Sequence, residues 1–227
     1  MTVVGSDGAN ERVAGAIATG VAALGQTLPS GTAERLTRLL HQLEHWNARI
    51  NLTSIRNPDA MVPGHVLDSL AIRPFLEGSR VLDVGTGAGF PGLPLALAEP
   101  GRDFTLLDSN ARKLAFVRHV IGELGIANAV AVDARAEDYQ PDRRFDTVTV
   151  RALGPLTRIV EVAGHLVGDS GILLALKGKV PDDELRRFTQ SKIGSGWECQ
   201  LTRLSVPGLE SQARHLVGLR RRGTRET

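Results

Sequence analysis

Two acidic residues and three closely spaced glycines are the positions best suited to bind a small molecule. Asp83 is followed by Gly85, Gly87 and Gly89, and Asp108 comes about 20 residues later. Glycine allows a turn to adopt positive φ and lets a ligand approach the bare backbone. A carboxylate beside such a turn accepts hydrogen bonds from hydroxyl, amide or ammonium groups. The pattern therefore predicts a ligand-binding turn flanked by acids.

The segments around this turn are typical of a parallel α/β sheet. Arg80 to Val84 is a short apolar run that predicts a buried strand, and Phe104 to Leu107 predicts the next one. Gly92 to Ala98 predicts a short helix between them, with Pro91 at its start. Since open α/β sheets bind ligands at the carboxyl ends of their strands, we expect the glycine turn and Asp108 at that edge.

One interpretation of the turn is a dinucleotide site. Gly87, Gly89 and Gly92 satisfy the pattern G-x-G-x-x-G, and Asp108 is placed to bind a ribose hydroxyl. This interpretation would make the protein an NAD(P)-dependent oxidoreductase.

A second interpretation includes the acid before the turn. Asp83, Gly85, Gly87 and Gly89 form D-x-G-x-G-x-G, which resembles the first motif of class I S-adenosylmethionine (AdoMet) methyltransferases. A pyrophosphate prefers a helix N-terminus without a nearby carboxylate. The ammonium and sulfonium groups of AdoMet are cations that an acid at the strand end would suit, so Asp83 favours AdoMet.

Composition indicates an ordinary globular protein. The 227 residues are 42% hydrophobic and 23% charged, with a formal net charge of +2 and a sequence pI near 9.0. This length predicts one large domain, or one domain with a helical extension. The single Cys199 excludes an internal disulfide and fits a reducing cytosol, so we expect a cytoplasmic protein. Neither a membrane span nor a signal peptide is predicted.

Periodicity along the chain predicts an N-terminal helical extension, residues 1–76, before a core of residues 77–227. Its helices are expected at Asn10–Leu24, Thr32–Asn47 and Pro63–Leu76. In the core, strands and helices alternate, which predicts an α/β fold with a mainly parallel sheet covered by helices on both faces. The remaining core strands are expected at Ala129–Val132, Phe145–Val150, Gly171–Leu176, Glu198–Val206 and Ala213–Arg220. The last two are close enough in sequence to form an antiparallel hairpin.

Several polar residues have no assigned role from pattern alone. His65 and Asp68 lie three positions apart on one predicted helix face, and neither a nucleophile nor a further metal ligand accompanies them. We therefore predict no metal site and leave their role open. Clusters of basic residues are candidates for phosphate contact, and they are Arg112 to His119, Lys177, Lys179 and Arg220 to Arg222.

Further short motifs run along the chain. They are Trp46-Asn47, Asn51-Leu52-Thr53, His65-x-x-Asp68-Ser69, the run from Gly85 to Gly92, Leu107-Asp108-Ser109, Arg135-Ala136-Glu137, Phe145-Asp146, Val150-Arg151-Ala152 and Lys177-Gly178. Taken together, these motifs resemble the bacterial 16S ribosomal RNA guanine-N7 methyltransferase family, also called glucose-inhibited division protein B. The family commonly has Lys-Arg where this chain has Arg112-Lys113.

The resemblance implies a class I AdoMet-dependent methyltransferase fold, which is Rossmann-like with the late hairpin as an antiparallel edge. It implies AdoMet as the methyl donor, and 16S rRNA or the small ribosomal subunit as the partner. Asp108 would bind the ribose hydroxyls, Ala136 and Glu137 would border the adenine, and Arg151 would face the methionine end and the substrate entrance. Gly85 and Phe90 would line the AdoMet pocket at the first turn, and Gly87 would also bind the cofactor.

The implied reaction needs no general base. Guanine N7 carries a free lone pair and attacks without prior deprotonation, so no catalytic residue is assigned. The oligomeric state is open, with a monomer favoured. The oxidoreductase and a non-catalytic RNA-binding module remain as alternatives.

Overall fold

A seven-stranded sheet forms the centre of the computed structural model, which describes residues 4–179 and 182–223. The strand order is β3-β2-β1-β4-β5-β7-β6; β1 to β5 run parallel, and β7 runs antiparallel between β5 and β6. This order confirms the predicted parallel sheet with a late antiparallel hairpin. The strands are β1 Arg80–Val84, β2 Asp103–Asp108, β3 Ala129–Asp133, β4 Phe145–Arg151, β5 Val167–Lys177, β6 Trp197–Arg203 and β7 His215–Arg221.

Helices cover both faces of this sheet. The α-helices are α1 Val4–Ala23, α2 Thr32–Asn47, α3 Gly92–Ala98, α4 Ala111–Glu123, α5 Leu156–Ala163 and α6 Asp182–Gln190. α1 begins at Val4, earlier than the predicted Asn10. Asn110 caps α4, since its side chain accepts from the N–H groups of Arg112 and Lys113. The sequence pattern also predicts a last helix over Pro181–Ile193. Its first residue lies outside the described residues, and the observed α6 ends at Gln190.

Alternate strand residues face opposite sides of the sheet, so two hydrophobic clusters form. Val81 and Leu106 pack with α1 to α4, whereas Leu82 and Leu107 pack with α5 and α6. The N-terminal helices thus share one continuous cluster with the sheet. The division into residues 1–76 and 77–227 stays a prediction.

The segment predicted as one regular helix, Pro63–Leu76, is irregular instead. α-Helical turns at Pro58–Met61 and Asp68–Leu70 flank a π-helical turn, Val62–Leu67. Pro63 has no N–H, so it cannot donate the backbone bond of a regular helix. None of the helices in the described ranges is long and apolar enough to cross a bilayer.

His65 is buried by the π-helical turn. Its Nε2 lies 2.9 Å from Thr53 Oγ1, and its ring stacks on Phe90 with centroids 4.7 Å apart. His65 and Asp68 do not bond to each other; Asp68 is bonded to Arg214. Burial, and then the charge of Arg151, lowers the pKa of His65 to about 4.

This low pKa predicts a pH-dependent stability. The pKa of the His65 imidazole is about 4 in the folded protein, against 6.5 for an unperturbed histidine in the unfolded chain. Between pH 4 and 6.5, the unfolded chain therefore binds more protons at this residue than the folded protein does. The contribution of His65 to the free energy of unfolding is full above pH 6.5 and falls by about 3 kcal/mol as pH drops to 4. Denaturant titrations should measure the free energy of unfolding of wild type and of His65→Phe. The value for wild type minus the value for His65→Phe should rise by that amount from pH 4 to 6.5.

The matched control is His41→Phe, which removes an exposed imidazole from α2. A difference between wild type and His65→Phe that stays constant over this pH range would contradict the burial argument.

Candidate functional site

Two cavities open at the carboxyl edge of the parallel strands. The sheet-edge cavity, of about 450 Å³, is lined by the ends of β1 and β2 and by the segments after β3 and β4, including Gly85, Asp108, Ala136 and Glu137. The helix-side cavity, of about 590 Å³, is lined by residues 52–55, by His65 and Asp68, and by Arg214. Arg151, Ala152 and Leu153 line both cavities, so these residues form a shared wall.

The glycine turn leaves the sheet-edge cavity free of side chains. Gly85 and Gly87 have φ of +67° and +59°. A Cβ built on Gly85 would lie 3.8 Å from its nearest neighbour, and one on Gly87 would lie 3.9 Å away. A Cβ on Gly89 would come within 2.2 Å of Leu93, and one on Gly92 within 2.1 Å of Leu106. The first two glycines therefore keep the backbone accessible, whereas the last two permit close packing.

Asp83 holds this turn from inside the protein. It is 1% exposed; its Oδ2 accepts from Thr86 Oγ1 at 2.6 Å and from the Gly92 N–H at 3.0 Å, and its Oδ1 accepts from Thr149 Oγ1 at 2.9 Å. Burial raises the pKa of the Asp83 carboxyl, and these bonds and the charge of Arg151 oppose the rise. The expectation that Asp83 faces the cations of AdoMet is wrong, because the carboxylate is sealed within the fold.

The same carboxylate argues against a dinucleotide at this turn. α3 begins at Gly92, whose N–H is bonded to Asp83. In dinucleotide folds the start of this helix binds the pyrophosphate. Here a buried carboxylate already occupies that place, and it would repel a second anion.

Asp108 lies half-buried at the end of β2 and closes the turn from the other side. Its Oδ2 accepts from the Gly87 N–H at 2.8 Å, and its Oδ1 accepts from the Asn110 N–H at 2.8 Å. The N–H groups of Gly85 and Thr86 both donate to the Leu107 carbonyl. The carboxylate is thus fixed at the rim of the sheet-edge cavity, where its remaining lone pairs can accept from a ligand.

The predicted residues after β3 and β4 reach the same cavity. Ala136 is buried, and Glu137 is exposed and pairs with Arg158 at 2.6 Å. Arg151 lies in the shared wall with its Nη1 3.6 Å from Asp68 Oδ2. Ala152, next to it, has φ of 58°, an uncommon conformation for a residue with a Cβ.

Phe90 differs from the other predicted site residues. It is 2% exposed and stacks on His65 behind the turn, and it does not line the sheet-edge cavity. The structure therefore brings Gly85, Asp108, Ala136, Glu137 and Arg151 together, with Gly87 bonded to Asp108.

Two residues of the site were missed in the sequence. Thr149 is fully buried on β4 and bonds to Asp83, and a polar residue within a buried strand was the available signal. Arg214 donates its Nε–H to Asp68 Oδ1 at 2.9 Å across 146 positions. No local pattern indicates a contact over that separation.

The basic clusters lie at different ends of the sheet. Lys113 lines the sheet-edge cavity, and Lys177 lines the helix-side cavity and pairs with Glu184. Arg221 instead stacks over Trp197, at the opposite end of β7 from the cavities. The described residues hold no group of three or more histidine, cysteine or acidic side chains suited to a metal ion.

Comparisons with known proteins identify the family that this chain resembles. Residues 32–217 match the family GidB, described as rRNA small subunit methyltransferase G. The chain is 48% identical to the ribosomal RNA small subunit methyltransferase G of Alkalilimnicola ehrlichii over 202 residues, covering 89% of this chain and 90% of that protein. It is 46% identical to the same enzyme of Nitrosococcus oceani over 204 residues, covering 89% and 92%.

A solved structure with the same fold is the glycopeptide N-methyltransferase MtfA complexed with AdoMet. The TM-score is 0.56 at 14% identity, covering 70% of this chain and 88% of that one. The fold is therefore that of AdoMet-dependent methyltransferases. Since the family match spans most of the chain, the protein belongs to the rRNA small subunit methyltransferase G family.

Proposed function

We propose that this protein transfers a methyl group from AdoMet to N7 of a guanine in 16S rRNA. The observation that carries the proposal is the open sheet-edge cavity, where the accessible backbone of Gly85 meets the acceptor Asp108. Membership of the rRNA methyltransferase family supports the same reaction. The oxidoreductase alternative is not supported, since the Asp83 carboxylate already accepts from the N–H at the start of α3, where a dinucleotide pyrophosphate would bind.

The lining of the sheet-edge cavity fits AdoMet. Asp108 presents carboxylate oxygens to ribose hydroxyls, and the apolar Ala136 beside Glu137 suits one face and one edge of adenine. Arg151 supplies a guanidinium for the carboxylate of the methionine end. Gly85 and Gly87 let the ligand lie against the backbone. Phe90 would act indirectly, by supporting the turn from behind.

Bound AdoMet supplies an electrophilic methyl group: the N7 lone pair forms the new C–N bond, the C–S bond breaks, and its electrons neutralise the sulfonium. The purine becomes positively charged as a result. The chain's contribution is to align the two substrates and exclude water. No residue needs to remove a proton before the attack.

The helix-side cavity is the natural place for the acceptor base. It shares Arg151 to Leu153 with the sheet-edge cavity, so a base there would meet the donor at that wall. Its volume, about 590 Å³, falls within the usual range of ligand pockets. A base must leave its stack to enter, so a single-stranded or extruded nucleotide is the expected substrate.

The N-terminal extension, residues 1–76, would complete this second cavity. Thr53, His65 and Asp68 line it, and all three belong to the extension. We therefore assign base recognition to the extension, and donor binding to the core, residues 77–227. The proposed partner is 16S rRNA, alone or in the small ribosomal subunit, and the proposed location is the cytoplasm.

Methyl transfer tests the proposed function directly. AdoMet carrying a labelled methyl group, incubated with 30S subunits or with 16S rRNA, should label one guanine at N7. Mass spectrometry of nuclease fragments would locate the base. Binding of AdoMet without any labelling of RNA would instead favour the non-catalytic RNA-binding module.

Asp108→Ala should weaken AdoMet binding. The substitution removes a charged acceptor for the ribose hydroxyls, so calorimetry should show a binding free energy for AdoMet that is weaker by about 1.5–3 kcal/mol. The control is Asp103→Ala, which removes an exposed carboxylate from the other end of β2. An unchanged dissociation constant for Asp108→Ala would remove this residue from the site.

Basic residues near the cavities should contact phosphate. Replacing Arg112 and Lys179, both exposed, by glutamine should reduce the salt dependence of 16S rRNA binding by about 1.4 in the slope of log K against log salt. The control pair is Arg143→Gln with Arg144→Gln. These two residues come just before β4, at the amino ends of the parallel strands and away from both cavities. Equal slopes for wild type and the first pair would show that Arg112 and Lys179 are only solvated.

A further inference from the structure

We propose that Asp68 determines specificity for guanine, by accepting hydrogen bonds from N1–H and the 2-amino group while N7 faces the sheet-edge cavity. This inference rests on the proposed function, because it assigns base recognition within the same site.

One oxygen of Asp68 accepts a hydrogen bond, and the other, among the described residues, takes part only in a longer ion pair. Oδ1 accepts from Arg214 Nε at 2.9 Å, whereas Oδ2 accepts no hydrogen bond from residues 4–179 or 182–223. Oδ2 forms an ion pair with Arg151, whose Nη1 lies 3.6 Å away. The side chain is only 10% exposed, and it lines the helix-side cavity. Oδ2 therefore keeps lone pairs that can accept hydrogen bonds from a ligand in the helix-side cavity.

The chemistry of this acceptor matches guanine among the four RNA bases. Guanine has two adjacent donors, N1–H and the 2-amino group, on its Watson–Crick edge, which is the edge that RNA-binding proteins read in exposed bases. Adenine and cytosine place an acceptor at the corresponding ring nitrogen, and uracil has a single donor between two carbonyls. A carboxylate, which only accepts, is therefore complementary to guanine.

The position of Asp68 also suits the reaction. It contacts Arg151 in the shared wall, so a base bonded to Asp68 lies beside the sheet-edge cavity. Methylation at N7 makes the purine positive and its N–H groups stronger donors, so their bonds to a carboxylate strengthen as the reaction proceeds. His65 in the same cavity adds no opposing charge, because its burial lowers its pKa to about 4.

The test compares guanine with inosine, which lacks only the 2-amino group. 30S subunits are reconstituted with 16S rRNA carrying either base at the methylated position, and kcat/KM is measured for wild type and Asp68→Asn. For wild type, kcat/KM should be about tenfold lower with inosine than with guanine. For Asp68→Asn, kcat/KM with guanine should be about 10- to 100-fold lower than for wild type. Its values with guanine and inosine should differ by less than about twofold, so the effects of the two changes are not additive.

The control variant, Asp169→Asn, removes a carboxylate that is 90% exposed and should behave as wild type. Calorimetry with AdoMet checks that Asp68→Asn keeps its donor site. If that variant does not fold, the wild-type comparison decides alone, since equal rates on guanine and inosine would overturn the inference.

A guanine-to-inosine ratio unchanged in Asp68→Asn would overturn the inference as well. Failure of wild type to methylate the guanine substrate would contradict the proposed function itself, and the inference with it.

Discussion

The buried carboxylate of Asp83 is the interaction on which the rest of the site depends. It joins Thr86 in the glycine turn, Gly92 at the start of α3 and Thr149 on β4. Ionised carboxylates are costly to bury unless their oxygens are hydrogen-bonded, and these donors offset that cost. The order of the strands reverses between β1 and β4, so Asp83 fixes the turn where α/β sheets bind ligands.

The two cavities are lined by parts of the chain that lie far apart in sequence. Gly85 and Asp108 line the sheet-edge cavity, and His65 and Asp68 line the helix-side cavity. Under the proposed function, the first cavity binds AdoMet and the second binds the guanine. Arg151 lies between the two cavities and pairs with Asp68. A methyl group passes between two substrates only if both are held at a common boundary. In the proposed reaction, the wall of Arg151 to Leu153 is that boundary.

Local patterns predicted much of this arrangement, and long-range contacts limited the rest. The glycines, Asp108 and the strand pattern located the sheet-edge cavity, because turn chemistry and periodicity act over a few residues. The role of Asp83 was misjudged, since a sequence does not show which way a carboxylate points. The bond between Asp68 and Arg214, and the π-helical turn that buries His65, depend on tertiary packing that no local pattern encodes.

A crystal structure with S-adenosylhomocysteine, the product of the methyl donor, tests the central claim most directly. The account predicts this ligand in the sheet-edge cavity, with its ribose hydroxyls bonded to Asp108 and its backbone contacts at Gly85. Asp83 should remain buried and bonded to Thr86, Gly92 and Thr149. A ligand bound elsewhere, or an Asp83 carboxylate released from those donors to contact it, would contradict the account.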